Sequence, residues 1–341
     1  MSRESFHLSL KDTNVLKGLA LLMLLAHHLF YRQYGLYDDI QITNNHCLVQ
    51  DIGIWCKLCV AIFVFLSGYG LTVGAINSNG INNLKKLYLY PFTKLLMNYW
   101  LIWILFVPLS VFVFGRSFTD AYQTNIALKF ILDLFGVINC FGWYGYNVTW
   151  WFYACIIVLY LSYPFLYRLM NKSVLMLLVV SFILYYLPGP FFHGSNIYYA
   201  SFIYGMLLCK YEKAIKITPL WWILIFIFLA VERLYPTDGI HIFDAVLTIS
   251  LVLAYKSITL PSIIHRFLEF AGKHSMNIFL FHTFIYYYWF RDFIYSSRNP
   301  IIIYLLLLFI CLTVSILIEL IKKTVCFDKL CNKIVQKNLQ L

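Results

Sequence analysis

Along most of the chain the apolar residues follow neither a period of two nor a clear period of 3.6; they run together. A helix needs about 20 apolar residues to cross a bilayer core. Runs near that length, separated by short polar breaks, occur near 15–31, 53–76, 94–114, 148–167, 174–189, 195–209, 217–234, 240–256, 274–290 and 301–321. The sixth reaches full length only if Phe191 and Phe192 extend it. The pattern predicts an all-α, polytopic integral membrane protein of about ten transmembrane helices. The stretch from Ile126 to Asn139 is left out: it is short and carries Lys129 and Asp133 one helical turn apart, which suits an interfacial or re-entrant segment.

Composition agrees. Charged residues make up 12% of the 341, against about 25% in ordinary soluble domains, and the mean hydropathy is +0.76. Disorder, collagen-like repeats and soluble nucleic-acid binding are excluded for the chain as a whole. The net charge of +11, from 26 Lys+Arg and 15 Asp+Glu, becomes a question of sides. With ten spans and cytoplasmic termini, 19 of those 26 basic residues fall inside, among them Lys11, Arg168, Lys172, Lys210, Lys256, Lys273 and the tail lysines. An eleventh span at 126–139 would send the later clusters outside, against the positive-inside rule. No small-residue cleavage site follows Phe30, so the first run reads as an uncleaved helix. With no repeat or linker, residues 1–341 read as one membrane domain with a basic cytoplasmic tail at 322–341. Cys56 and Cys59 have CxxC spacing but no second pair to complete a metal set, so no metal is expected.

In so apolar a chain the ionisable residues inside spans stand out, because burying them is expensive. Lys17 and His28 are eleven positions apart on the first predicted helix, about 1100° of rotation and so about 20° from eclipsed, with a rise of about 16 Å. They share one face at two depths. His27 lies about 80° to the other side of Lys17. The bland alternatives are a snorkelling Lys17 and histidines bonded to a neighbouring helix. In the ninth span Ser275 and His282 share a face and Asn277 sits on another; His282 lies near mid-membrane. Ser67-Gly68 in the second span permits close approach by a helix or a ligand. Trp150, Trp151 and Tyr153 open the fourth span, either as an aromatic belt or as a sugar-stacking platform.

These segments resemble the membrane-bound acyltransferase-3 family. Lys17-Gly-Leu-Ala-Leu-Leu-Met-Leu-Leu-Ala-His-His28 is similar to its first-helix signature of a basic residue, ten residues and a His. Phe63-Val-Phe-Leu-Ser-Gly-Tyr69 resembles its Ser-Gly motif, Trp150-Trp-Phe-Tyr153 with Tyr163-Pro164 its Trp-Phe…Tyr-Pro segment, and Ser275-Met-Asn-Ile-Phe-Leu-Phe-His282 its late Ser-x-x-Ile-Tyr-Leu-x-His helix. The four motifs occur in the family's order across roughly residues 10–290. The resemblance implies transfer of an acyl group, most often acetyl, from cytoplasmic acyl-CoA to a hydroxyl of a carbohydrate acceptor, in a bacterial plasma membrane and without a bound cofactor. It implies a catalytic histidine on the first helix, open between the neighbours His28 and His27 with spacing and face favouring His28, and a role for His282 that is open between orienting the acceptor, donating to the oxyanion and carrying the acyl group. Donor binding then falls to Lys17, Ser67 and Gly68, and acceptor binding to Trp150, Trp151 and Tyr153. One departure is Lys17, where the family usually has Arg: the charge is kept and the bidentate fork lost. The competing class is a polysaccharide flippase or polymerase, or a small-solute transporter. It expects a large Arg-rich outer loop or corresponding broken helices, which the sequence does not show.

Overall fold

Ser9 starts the first helix five residues before the apolar run does. Its hydroxyl accepts the Asp12 N–H at 3.1 Å and the Asp12 carboxylate accepts the Ser9 N–H at 2.8 Å, a reciprocal cap. The computed structural model describes residues 6–31, 35–43, 46–78, 84–186, 196–215, 219–233 and 241–340. Arg3, Arg32, Lys216, Asp238, Phe191 and Phe192 lie outside them.

The described chain is almost entirely helical. In order come α1 (Leu10–Phe30), a small antiparallel hairpin of β1 (Gln41–Thr43) and β2 (His46–Cys47), α2 (Leu48–Trp55), α3 (Leu58–Asn77), α4 (Leu84–Phe112), α5 (Phe118–Tyr122), α6 (Ile126–Leu134), α7 (Trp151–Lys172) and α8 (Val174–Tyr186). Then follow α9 (Tyr199–Tyr211), α10 (Pro219–Glu232), α11 (His241–Ser257), α12 (Ser262–Thr283), α13 (Arg291–Tyr295), α14 (Pro300–Thr324) and α15 (Phe327–Gln340). Among the described residues, five segments are long and apolar enough to cross a membrane: Leu10–Phe30, Leu48–Asn77, Leu87–Phe112, Val148–Lys172 and Pro300–Thr324. Each of the other five expected spans contains a helix of the bundle. α6 is only 9 residues long, far short of a bilayer core.

Three boundaries differ from those the apolar runs predict. The second run is two helices, since the chain turns at Cys56–Lys57 between α2 and α3. α4 begins ten residues before its run and continues through Pro91 and Pro108. α12 begins at Ser262, twelve residues before its run. Arg266, Glu269 and Lys273 interrupt the hydropathy there but not the helix, because Leu268, Ala271 and Gly272 stay buried and Glu269 pairs with Lys273 at 2.7 Å one turn on. Past Thr283 the same helix widens into a π turn, Phe284–Trp289.

Glycines set two close crossings. A Cβ at Gly18 of α1 would strike the Leu268 carbonyl of α12, and one at Gly272 would strike the Asn14 carbonyl of α1. α3 and α9 meet the same way, Gly68 on Phe202 and Gly205 on Phe65. Without a hydrophobic drive between helices in lipid, such small-residue seams provide the van der Waals contact that holds them together. Outward faces of α8, α10 and α14 carry exposed Phe182, Phe228 and Phe309, which water would penalise and lipid does not.

Candidate active site

The α1–α12 seam brings together two histidines that are 254 positions apart in sequence. Because the backbones touch at Gly18 and Gly272, His28 and His282 end with ring centroids 4.9 Å apart. His282 is fully buried. Its Nδ1 lies 2.9 Å from both the Ile278 and the Phe279 carbonyl oxygens of its own helix. Carbonyls only accept, so Nδ1 carries the proton, and in the neutral ring Nε2 keeps its lone pair. That Nε2 is buried and has no hydrogen-bond partner among the described residues. Tyr286, in the π turn, stacks on His282 at 5.9 Å and lies 6.1 Å from His28. His27 turns away: its Nδ1 donates to the Gly53 carbonyl at 2.8 Å, and its ring stacks on Tyr31. The adjacent histidines thus differ in occupation, since His27 is tied to α2 while His28 borders a cavity.

A cavity of about 710 Å³ opens at the end of the bundle where α1 starts and α14 ends. Among the described residues six lysines line it, Lys17, Lys94, Lys273, Lys322, Lys323 and Lys329, against two carboxylates, Glu319 and Asp328. Such a surplus of positive charge suits a polyanion. Lys17 has no ion-pair partner among the described residues. Lys322 is held in place, donating to the Asn277 side-chain oxygen at 2.7 Å and to Glu319 at 2.9 Å. Asn277 in turn donates to Glu319 at 2.8 Å and to the Ser315 hydroxyl at 3.0 Å.

Inward, the cavity ends on Phe63, Phe152 and Phe279. Those three phenyl rings also line a second void of about 20 Å³, whose other walls include His28, Thr149 and Trp151. Phe152 touches Phe279 at 4.9 Å and Phe63 at 6.3 Å between centroids. An aromatic partition therefore stands between the lysine-lined cavity and His28.

Of the residues singled out in the sequence, Lys17, Ser67 and Tyr153 face the large cavity, and His28 and Trp151 face the small one. Ser67 donates to its own helix, to the Phe63 carbonyl at 2.9 Å. Gly68 lies in the α3–α9 seam rather than on the cavity wall. Trp150 is buried and donates to the Leu280 carbonyl at 2.8 Å, tying the start of α7 to the histidine-bearing helix. Beside it the Thr149 and Thr283 hydroxyls meet at 2.9 Å. Sequence reasoning missed the partition phenylalanines, Thr149 and the Asn277–Lys322 network. Phenylalanines in an apolar span carry no signal, and Lys322 is indistinguishable from the other topology charges. The placement of Asn277 on a different face from His282 was the one visible clue.

Lys129 and Asp133 of α6 take separate partners. Lys129 donates to the Tyr122 carbonyl at 2.7 Å. The fully buried Asp133 accepts from the Tyr122 hydroxyl at 2.7 Å and the Tyr146 N–H at 2.6 Å, with Tyr99 also in reach. Burial pushes its carboxyl up to about 6, against the pull of those donors.

A family model described as an acyltransferase domain matches residues 10–320. No curated protein and no solved structure matches the chain.

Proposed function

The chain belongs to the acyltransferase-3 family and is a membrane acyltransferase, and on that premise we propose that it moves an acyl group, acetyl first among them, from acyl-CoA to a hydroxyl of a cell-envelope carbohydrate. The donor enters from the cytoplasm of a bacterial cell. Its phosphates rest among the cavity lysines, Lys17 included, and its thioester passes the phenylalanine partition to reach the histidines.

His28 serves as the general base. As the acceptor oxygen attacks the thioester carbonyl carbon, a His28 ring nitrogen takes the hydroxyl proton. The tetrahedral intermediate collapses with cleavage of the C–S bond, and the imidazolium returns the proton to the departing CoA sulfur. His282 is a lone-pair acceptor in its neutral form, since two carbonyls hold its proton on Nδ1. That excludes it as a neutral oxyanion donor through Nε2 and suits it to accept from the acceptor hydroxyl or from a His28 N–H, aligning the pair. Trp151 at the small void supports a carbohydrate contact there.

The observation that carries this reading is the arrangement along one axis: a lysine-lined cavity, three phenyl rings, then His28 beside the unpartnered Nε2 of His282. Mass spectrometry of envelope glycans from cells with and without the gene tests the acceptor class, with loss of an acetyl-sized increment expected. In proteoliposomes supplied with acetyl-CoA and that glycan, correctly inserted His28→Ala is expected to lose about 10²–10⁴ in rate. Near-wild-type transfer by that variant refutes the assignment.

A further inference from the structure

Three of the six described lysines that line the cavity lie beyond the segment that the family match covers. The match ends at residue 320, while Lys322, Lys323 and Lys329 all face the cavity, together with Phe327 and Asp328. After α14 the chain reverses through Cys326, whose backbone is left-handed at φ 51°, and α15 folds back along α4. The return is sequence-encoded. Phe327, Cys331 and Val335 recur every fourth residue as the buried stripe of α15, with Lys329, Lys333 and Lys337 on exposed positions. Asp328 ties the helix to Lys94 at 3.4 Å.

The fold-back also fixes a lysine. The Phe327 ring lies under the Lys322 ammonium, 5.4 Å from its centroid. With Asn277 and Glu319 on its other sides, Lys322 is held at the cavity wall. Glu319 and Asp328 together offset two of the three charges that Lys322, Lys323 and Lys329 bring to this wall, so it stays positive.

Resting on the donor reading above, we propose that the C-terminal helix is a donor-specificity element: Phe327, Lys329 and the Lys322 it orients form a phosphate-recognising wall that the family domain alone does not supply. The wall recognises a polyphosphate group, which on that reading is the diphosphate and ribose phosphate of coenzyme A. It contacts no reacting atom. Its contribution is to ground-state binding, so losing it raises the KM for acyl-CoA and leaves kcat nearly unchanged.

The test compares the full chain, in phosphatidylcholine nanodiscs where no anionic headgroup competes, with a chain ending at Val325 and with Lys329→Gln and Phe327→Ala. Each is titrated with coenzyme A and, separately, with inorganic pyrophosphate. The expected result is at least about tenfold weaker binding of both anions by the shortened chain, the scale of one lost charge-assisted contact, and about threefold weaker binding by each point variant. Equal affinities in all chains overturn the proposal, assign the tail lysines to the membrane surface and leave the donor reading standing. A loss in the shortened chain that neither point variant shares overturns it as well, because the effect is then a general loosening of the wall. Tail-dependent pyrophosphate binding without coenzyme A binding supports the anion-recognising wall and overturns the donor reading. No binding of either anion by the full chain overturns both.

Discussion

Gly18→Ala adds one methyl group about 15 Å along α1 from His28, and it tests whether the helix seam sets the geometry of the histidine pair. A Cβ there would stand 2.8 Å from the Leu268 carbonyl carbon and nearer still to its oxygen, where ordinary contact begins at 3.4 Å. The partner is backbone, which cannot swing aside, so α1 and α12 must separate by an amount on the order of 1 Å. A helix moves as a body on that scale, and the shift passes to His28 and to its 4.9 Å approach to His282. Misplacing catalytic groups by about 1 Å costs about 10²-fold, while the overpacking itself costs about 1–3 kcal/mol of stability. The assay is single-turnover acyl transfer in proteoliposomes at saturating donor, with Gly70→Ala on α3 as control, since a Cβ at Gly70 meets nothing within 4 Å. The expected outcome is a drop of about 10² in kcat for Gly18→Ala and none for the control. Wild-type kcat in well-inserted Gly18→Ala refutes the reasoning, because it would mean that the seam does not position the histidines.

Other consequences follow from the same arrangement. Lys17→Gln is expected to raise the donor KM by about tenfold with little change in kcat, as loss of one charge-assisted phosphate contact requires; steady-state kinetics against acetyl-CoA decides it. Phe152→Ala opens the partition to water and is expected to increase hydrolysis of the thioester to free CoA and the carboxylic acid relative to transfer, read with a thiol reagent; an unchanged ratio means that the partition does not keep water from the thioester. For Asp133 the sign is fixed by burial: the unfolded carboxyl releases its proton near 3.8 and the folded one near 6. Between those values the unfolded state binds fewer protons, so stability falls as pH rises from about 4 to about 6, by on the order of 3 kcal/mol, and is level above. A thermal midpoint that drops across that window in the wild type and stays flat in Asp133→Asn confirms it; parallel curves refute it.

Much of the candidate site was legible because burying an ionisable group in an apolar span is costly enough to need a reason. Lys17 and His28 were visible as a pair since both lie on one helix, where a fixed 100° step converts sequence distance into direction. The 4.9 Å meeting of His28 with His282 was not visible, because helix direction says nothing about which helix lies opposite. The same limit applied to the aromatic residues. Trp150 reads as part of a belt or a platform, yet its indole N–H is spent on the Leu280 carbonyl inside the bundle. Helix starts were misplaced wherever hydropathy and helicity part company, as at Ser262, where charged residues on the open side of α12 ended the apolar run without ending the hydrogen-bonded backbone.

By itself the sequence determined the class of molecule, all-α and membrane-embedded, together with the residues too expensive to bury without purpose. Hydropathy is a sum over local transfer energies, and helical direction is a local rotation, so both can be read one segment at a time. Tertiary structure decided what faces what: Gly18 against Leu268, Lys322 over Phe327, the phenylalanines between the lysine-lined cavity and His28, and the proton of His282 locked on Nδ1. Those outcomes depend on packing between segments distant in the chain, where a missing side chain such as that of glycine carries as much weight as a charged one. The identity of His28's neighbour, and with it the chemistry proposed for the pair, exists only once the helices have closed on each other.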